Sequence, residues 1–157
     1  MVATATTGEA EGRRRRGATR LAILVDTGGV VALADTGSPE HQAVLAYAAA
    51  TPEVLLVPMT VLPEADYLIA TRLGVRVELA MLRSIATGEL HLEAWTAADL
   101  ARTIELVEQY ADSNIGLVDA SIVAIAERLR ITRVLTLDHR HFRMFRPKHC
   151  PALELVP

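Results

Sequence analysis

Short unbroken apolar runs alternate along this chain with longer stretches of helical period, and the alternation predicts an architecture. Leu21-Ala-Ile-Leu-Val25 reads as a buried strand, Val54-Leu-Leu-Val57 as a second closed by Pro58, Leu90 to Ala94 as a third, Arg133 to Thr136 as a fourth, and Leu153 to Val156 as a weaker fifth. Between them, apolar residues recur at helical spacing over 39–50, 60–73, 75–86, 97–111 and 118–129. Ser38 before Pro39 has the form of an N-cap followed by a first-turn proline, and Thr96 stands three residues ahead of Asp99 at the start of another helix. Gly74 and Gly88 sit where helices should stop. Strands this apolar are buried on both faces, and helical connections favour parallel pairing. The expected class is therefore α/β, an α/β/α sandwich around a mostly parallel five-stranded sheet.

Composition narrows this further. The chain has 157 residues, 51% of them hydrophobic, with a formal charge of −3. It is long enough to bury one core without disulfide or metal staples, and too apolar for disorder. Cys150 is the single cysteine and can form no intrachain bridge, which makes a reducing, cytoplasmic location the expectation. Arg13 to Arg16 precede no apolar signal region, because the run from Leu21 meets Asp26, and no stretch reaches the ~18 apolar residues of a membrane span. Residues 1–19 show no period and read as a flexible basic tail, leaving 20–157 as a single domain. Charge is unevenly spread. Residues 1–20 carry five Arg and two Glu, residues 21–138 seven Arg and sixteen acids, and residues 139–157 three Arg, Lys148 and Glu154. An acidic body thus lies between two basic ends.

Four acids in the body stand in apolar company. Asp26 ends the first strand and Asp138 follows the fourth; Glu64 lies early in the helix after strand two, and Asp119 in the first turn of the helix before strand four. In an open α/β sheet, ligands bind beyond the carboxyl ends of the strands, so these positions can converge on one crevice. Singly, each has a plainer role: an acid closing a strand can serve a turn, and one in a first helical turn can face the helix dipole. Together they would repel and raise each other's pKa unless a cation compensated. Oxygen-only ligands favour Mg²⁺ or Mn²⁺, one or two ions, over structural zinc. Asp112 is a candidate fifth acid with an equally good role as a helix stop, and Thr27, beside Asp26, can either support a metal ligand or cap a short helix.

The strings LAILVDTGGVVAL, VPMTVLPEADYLIATRLG, GLVDASIVAIAERL and VLTLDHRHFRMFRP, in that order, resemble the PIN-domain nucleases, and most closely the VapC toxins of VapBC toxin-antitoxin pairs. The resemblance runs from Leu21 to the C-terminus. It implies that the domain over 20–157 is a PIN domain, that the family's catalytic, metal-binding quartet falls on Asp26, Glu64, Asp119 and Asp138, and that the activity is metal-dependent endoribonuclease cleavage inhibiting translation and growth. Asp26 and Asp138 are then the expected principal ligands, Asp119 a bridging ligand or one for a second ion, and Glu64 a ligand through water or a guide for the nucleophile. The resemblance also implies a VapB-like antitoxin that occupies a groove near the acids, and a homodimer.

An acidic pocket repels RNA, so affinity must come from elsewhere. The acid-free segment 139–148 sits beside Asp138 and offers Arg140, Arg143 and Arg146 as phosphate contacts, Arg140 foremost, with Phe142 and Phe145 available either for base stacking or for the core. His41 reads as a surface residue. The apolar helical pair over 60–86, with Leu68, Ile69, Leu73, Val77, Leu79, Met81 and Leu82, has more hydrophobic surface than one face needs and could serve a partner. Two other classes compete: another metal-dependent phosphoesterase, or a non-catalytic PIN-like module binding RNA or a partner. A haloacid-dehalogenase phosphatase would want a second Asp at position 28, where Gly28 stands, and a receiver domain would want a lysine nearer the last strand than Lys148. The complete quartet argues against a degenerate module.

Overall fold

Ala22–Val25 (β1) forms the middle of the sheet, and its side chains Ile23, Leu24 and Val25 are completely buried. The computed structural model describes residues 21–157, so the basic tail expected over 1–19 lies outside the described residues. After β1 come Thr27–Ala34 (α1) and His41–Ala50 (α2), then Val54–Pro58 (β2), Leu62–Leu73 (α3), Val75–Thr87 (α4) and His91–Glu93 (β3). The chain continues through Ala97–Gln109 (α5), a 3-10 turn at Ala111–Ser113, Leu117–Leu129 (α6), Arg133–Leu135 (β4), His139–Phe142 (α7) and Glu154–Val156 (β5).

The strands lie in the order β3-β2-β1-β4-β5 and every pairing is parallel. Leu24 of β1 stands between Leu56 of β2 and Val134 of β4, which fixes the register at the centre. The chain first steps outward from β1 to β2 to β3 and then crosses back to β4 on the other side of β1. Right-handed crossovers put the helices of these two excursions on opposite faces. The packing agrees: α1 lies against α2 and α3, α3 against α4, while α5 and α6 pack together. The result is the expected α/β/α sandwich, with its topological switch point between β1 and β4.

All five expected strands are present, and the five expected helices lie within a few residues of their predicted bounds. Two helices were not read from periodicity. The α1 sequence TGGVVALA combines two glycines and three β-branched residues, all poor helix formers, yet the Asp26 carboxylate caps it by accepting the Thr27 N–H at 2.6 Å. The single turn α7 is capped in the same way by Asp138, which accepts the His141 N–H at 3.0 Å. The start of α2 differs from expectation: the helix begins at His41, two residues beyond Pro39, while the Ser38 hydroxyl accepts the His41 N–H at 3.1 Å. His41 itself is buried, with its Nδ1 2.8 Å from the Ala32 carbonyl, so it ties α2 to α1 and is no surface residue. Thr96 and Asp99 do form a capping box, and Asp99 also accepts from Arg128 of α6 at 2.8 Å. Among the described residues no helix is long and apolar enough to cross a membrane.

The α1 helix lies unusually close to β4. A Cβ added at Gly29 would meet the Leu135 side chain and come within 2.9 Å of its carbonyl oxygen. Gly29→Ala is expected to destabilise the fold by about 1–3 kcal/mol through overpacking, measurable as a lower urea midpoint at unchanged m-value.

Candidate active site at the switch point of the sheet

The hydrogen bond from Asp26 N–H to the Leu135 carbonyl, 3.0 Å, carries the β1–β4 ladder one step past Val25 and sets Asp26 at the switch point. Its carboxylate is buried. Oδ1 accepts the Thr27 N–H, and Oδ2 accepts the Thr136 hydroxyl at 2.8 Å. The same Thr136 oxygen, fully buried, accepts the Asp138 N–H at 2.9 Å. One hydroxyl thus couples the acid after β1 to the acid after β4.

The other two acids arrive on helices whose N-termini face this edge. Glu64 lies in the first turn of α3 and accepts the Thr27 hydroxyl at 2.7 Å through Oε2. Asp119 lies in the first turn of α6. His141 Nδ1 is 2.8 Å from Asp138 Oδ2 and 3.6 Å from Asp119 Oδ2, so one imidazole faces two acids from different elements. A hydrogen bond of 2.6 Å between Thr60 and Ser121 further ties the approach to α3 to the start of α6. Thr136 and His141 were missed as site residues in the sequence. Their signals were a hydroxyl ending an apolar strand two residues before an acid, and a histidine three residues after an N-capping acid.

The electrostatics show that the four carboxylates converge. Burial raises the pKa of Asp26, which the Thr136 and Thr27 hydrogen bonds oppose and the charges of Glu64 and Asp138 reinforce. Asp119 is pushed from 3.8 up to about 6, first by burial, then by Asp26, with Asp138 and Glu64 adding to the rise and His141 opposing it. Among the described residues, no three His, Cys, Asp or Glu side chains already stand close enough to share a metal ion. The donor set nevertheless suits a hard divalent cation: it is all oxygen, it has excess negative charge, and each engaged Asp26 oxygen keeps a second lone pair.

Other expected residues fall less centrally. Asp112 is exposed on the 3-10 turn and contributes to neither raised pKa, so it is not part of this cluster. Phe142 and Phe145 are each 1% exposed, with Phe145 edge-on to Tyr110 at 5.1 Å, which rules out base stacking on either ring. Arg140 and Arg143 are exposed beside the acids, on and just after α7. Arg146 is exposed too, but its guanidinium donates to the carbonyls of Arg143, Met144 and Phe145. In the α3–α4 pair, Ile69 and Met81 are core, whereas Leu79 and Leu82 remain open at 42% and 38%.

Because the folded protein holds the Asp119 proton more tightly than the unfolded chain does, its stability falls as pH rises from 3.8 to about 6 and the penalty is fully present above that. In EDTA at pH 8, Asp119→Asn should therefore melt higher than the parent, by about 2–4 °C for each kcal/mol of strain removed. The difference should vanish near pH 4, and thermal melts across this pH range would check both ends.

A match to the PIN domain family spans residues 23–146. Ribonuclease VapC26 of Mycobacterium tuberculosis (strain ATCC 25618 / H37Rv) is 40% identical over 135 residues, covering 86% of this chain and 100% of that relative. Among solved structures, Mycobacterium tuberculosis VapC20, described as a sarcin-ricin loop cleaving toxin, superposes with a TM-score of 0.70 at 24% identity, over 76% of this chain and 92% of the other. DNA-bound VapBC from Salmonella typhimurium superposes with a TM-score of 0.63 at 17% identity, over 86% of this chain and 96% of the other. These two likenesses establish a common fold, and with the family match and the 40% identical relative they place the chain: it belongs to the PIN domain family.

Proposed function

We propose that this chain is a metal-dependent endoribonuclease and the toxin of a type II toxin-antitoxin pair. The observation that carries the reading is the convergence of Asp26, Glu64, Asp119 and Asp138 at the switch point, where burial, reinforced by the charges of the other three acids, raises the pKa of Asp119 to about 6. The 40% identical relative is a ribonuclease, and the likeness spans the whole of it. Asp26, Asp119 and Asp138 would hold Mg²⁺ or Mn²⁺, one or two ions, with Glu64 as a further ligand or acting through a water. When bound, such an ion supplies a water of lowered pKa and neutralises charge building on the phosphodiester.

The chain's own groups do the rest. Thr136 and Thr27 hold Asp26 and Glu64 in place without competing for every lone pair. Arg140 and Arg143 present exposed cations beside the acids and would carry phosphate contacts that the pocket itself cannot make. For an antitoxin, the structure offers an apolar cleft of about 440 Å³ between α1, α2, β2 and α4, lined by Val30, Leu33, Leu45, Leu55, Val77 and Met81 among others. VapBC complexes are among the structural neighbours, which supports a VapB-like partner. The exposed Leu79 and Leu82 suit burial in a homodimer.

Asp26→Ala should lower RNA cleavage about 100-fold or more and relieve growth inhibition, and EDTA should abolish cleavage by the parent. Undiminished cleavage by purified, nuclease-free Asp26→Ala protein would sink this mechanism. Replacing Arg140 or Arg143 with Ala should instead weaken RNA binding and flatten its dependence on salt, with the cleavage pattern unchanged, as read from binding titrations at several ionic strengths.

A further inference from the structure

We propose that His141 is a positioning residue that orients Asp138 and Asp119 for metal binding. This rests on the metal-dependent reading above. Asp138 is gripped by His141 at both carboxylate oxygens: the backbone N–H donates to Oδ1 at 3.0 Å, and ring Nδ1 lies 2.8 Å from Oδ2. Two bonds from one residue fix the plane of the carboxylate as well as its location. The same ring nitrogen stands 3.6 Å from Asp119 Oδ2, so it spans the gap between α7 and α6.

Among the described residues, His141 is the only side chain within hydrogen-bonding or ion-pairing reach of either carboxylate. Asp26 has Thr136 and Glu64 has Thr27; without the His141 ring, Asp138 would keep only the backbone N–H of residue 141 and Asp119 would have no donor. The turn that carries the ring is anchored. Phe142, the next residue, is buried at 1% exposure and anchors the single turn of α7 in the core. A ligand oriented by a fixed partner binds an ion with less reorganisation, and loss of such a partner typically costs 10- to 100-fold in metal affinity.

The test is Mn²⁺ binding to the full-length protein by isothermal titration calorimetry at pH 7.5, without RNA, for the parent, His141→Leu and His141→Asn. Leucine fills much of the ring's space and donates nothing; asparagine restores a short-reach N–H donor. The expected result is Mn²⁺ affinity about 10- to 100-fold weaker in His141→Leu and largely recovered in His141→Asn, with circular dichroism melts in EDTA showing each protein folded at the titration temperature. If His141→Leu does not fold, His141→Ala, which also donates nothing, takes its place with the same weakening expected relative to His141→Asn. Parental affinity in folded His141→Leu, or equal loss in both variants, would overturn the role of His141 while leaving the metal site standing. A parent protein that binds no Mn²⁺ would remove the metal reading and this inference together.

Discussion

Four carboxylates gathered at one edge of a sheet repel one another, and the surrounding structure is best understood as what resists that repulsion. Ordinary folding forces would not assemble such a group: burial alone raises the pKa of Asp26 and Asp119, and each added neighbour raises it further. The restraint comes from a register and three side chains. The β1–β4 ladder fixes Asp26 relative to the end of β4, Thr136 joins Asp26 to Asp138, Thr27 reaches Glu64, and His141 spans Asp138 and Asp119. Stability is surrendered locally to keep a concentrated negative charge at this edge of the sheet.

Elsewhere several acids are paired with arginine. Arg128 pairs with Asp99 and Glu93, Arg102 with Glu127 and Glu105, and Arg133 with Glu53 and Glu154. These pairs fasten α5 to α6, the α6 end to β3, and the lower ends of the strands to one another. The contrast is informative: one set of acids in the body is answered by arginine, while a second set, at the switch point, is answered only by hydroxyls, backbone N–H groups and one imidazole. A chain selected only to fold would have no reason to keep the second set.

Much of this was legible in the sequence because it depends on local pattern. Apolar runs bounded by Pro58, Gly74 and Gly88 marked the strands and helices, and the acids Asp26 and Asp138 were visible as polar residues ending apolar strands. What was not legible depends on contacts distant in the chain or on competition between weak local preferences. The α1 helix is poor by propensity and exists because Asp26 caps it and Gly29 lets it lie against β4. His41 looked like a solvent residue because its acceptor, the Ala32 carbonyl, belongs to that unforeseen helix. The bland and functional roles of the acids also proved compatible, since Asp26 and Asp138 are each a helix cap and a member of the cluster. The phenylalanines of the basic segment went to the core because the turn that carries Arg140 needs an anchor.

The hydrogen bond between Thr136 and Asp26 joins residues 110 apart in the chain. A ribosome that has released β1 has made Asp26 but neither its hydroxyl partner nor Asp138, and the centre of the sheet still lacks the strand that closes one of its sides. The acids that converge therefore cannot do so until β4 has been made. A product truncated before β4 has no assembled site, whatever fraction of the sheet it forms. For a protein whose proposed action is the destruction of RNA, this order of assembly means that the potency of the molecule arrives only once β4 and the turn behind it have been made and folded back against β1.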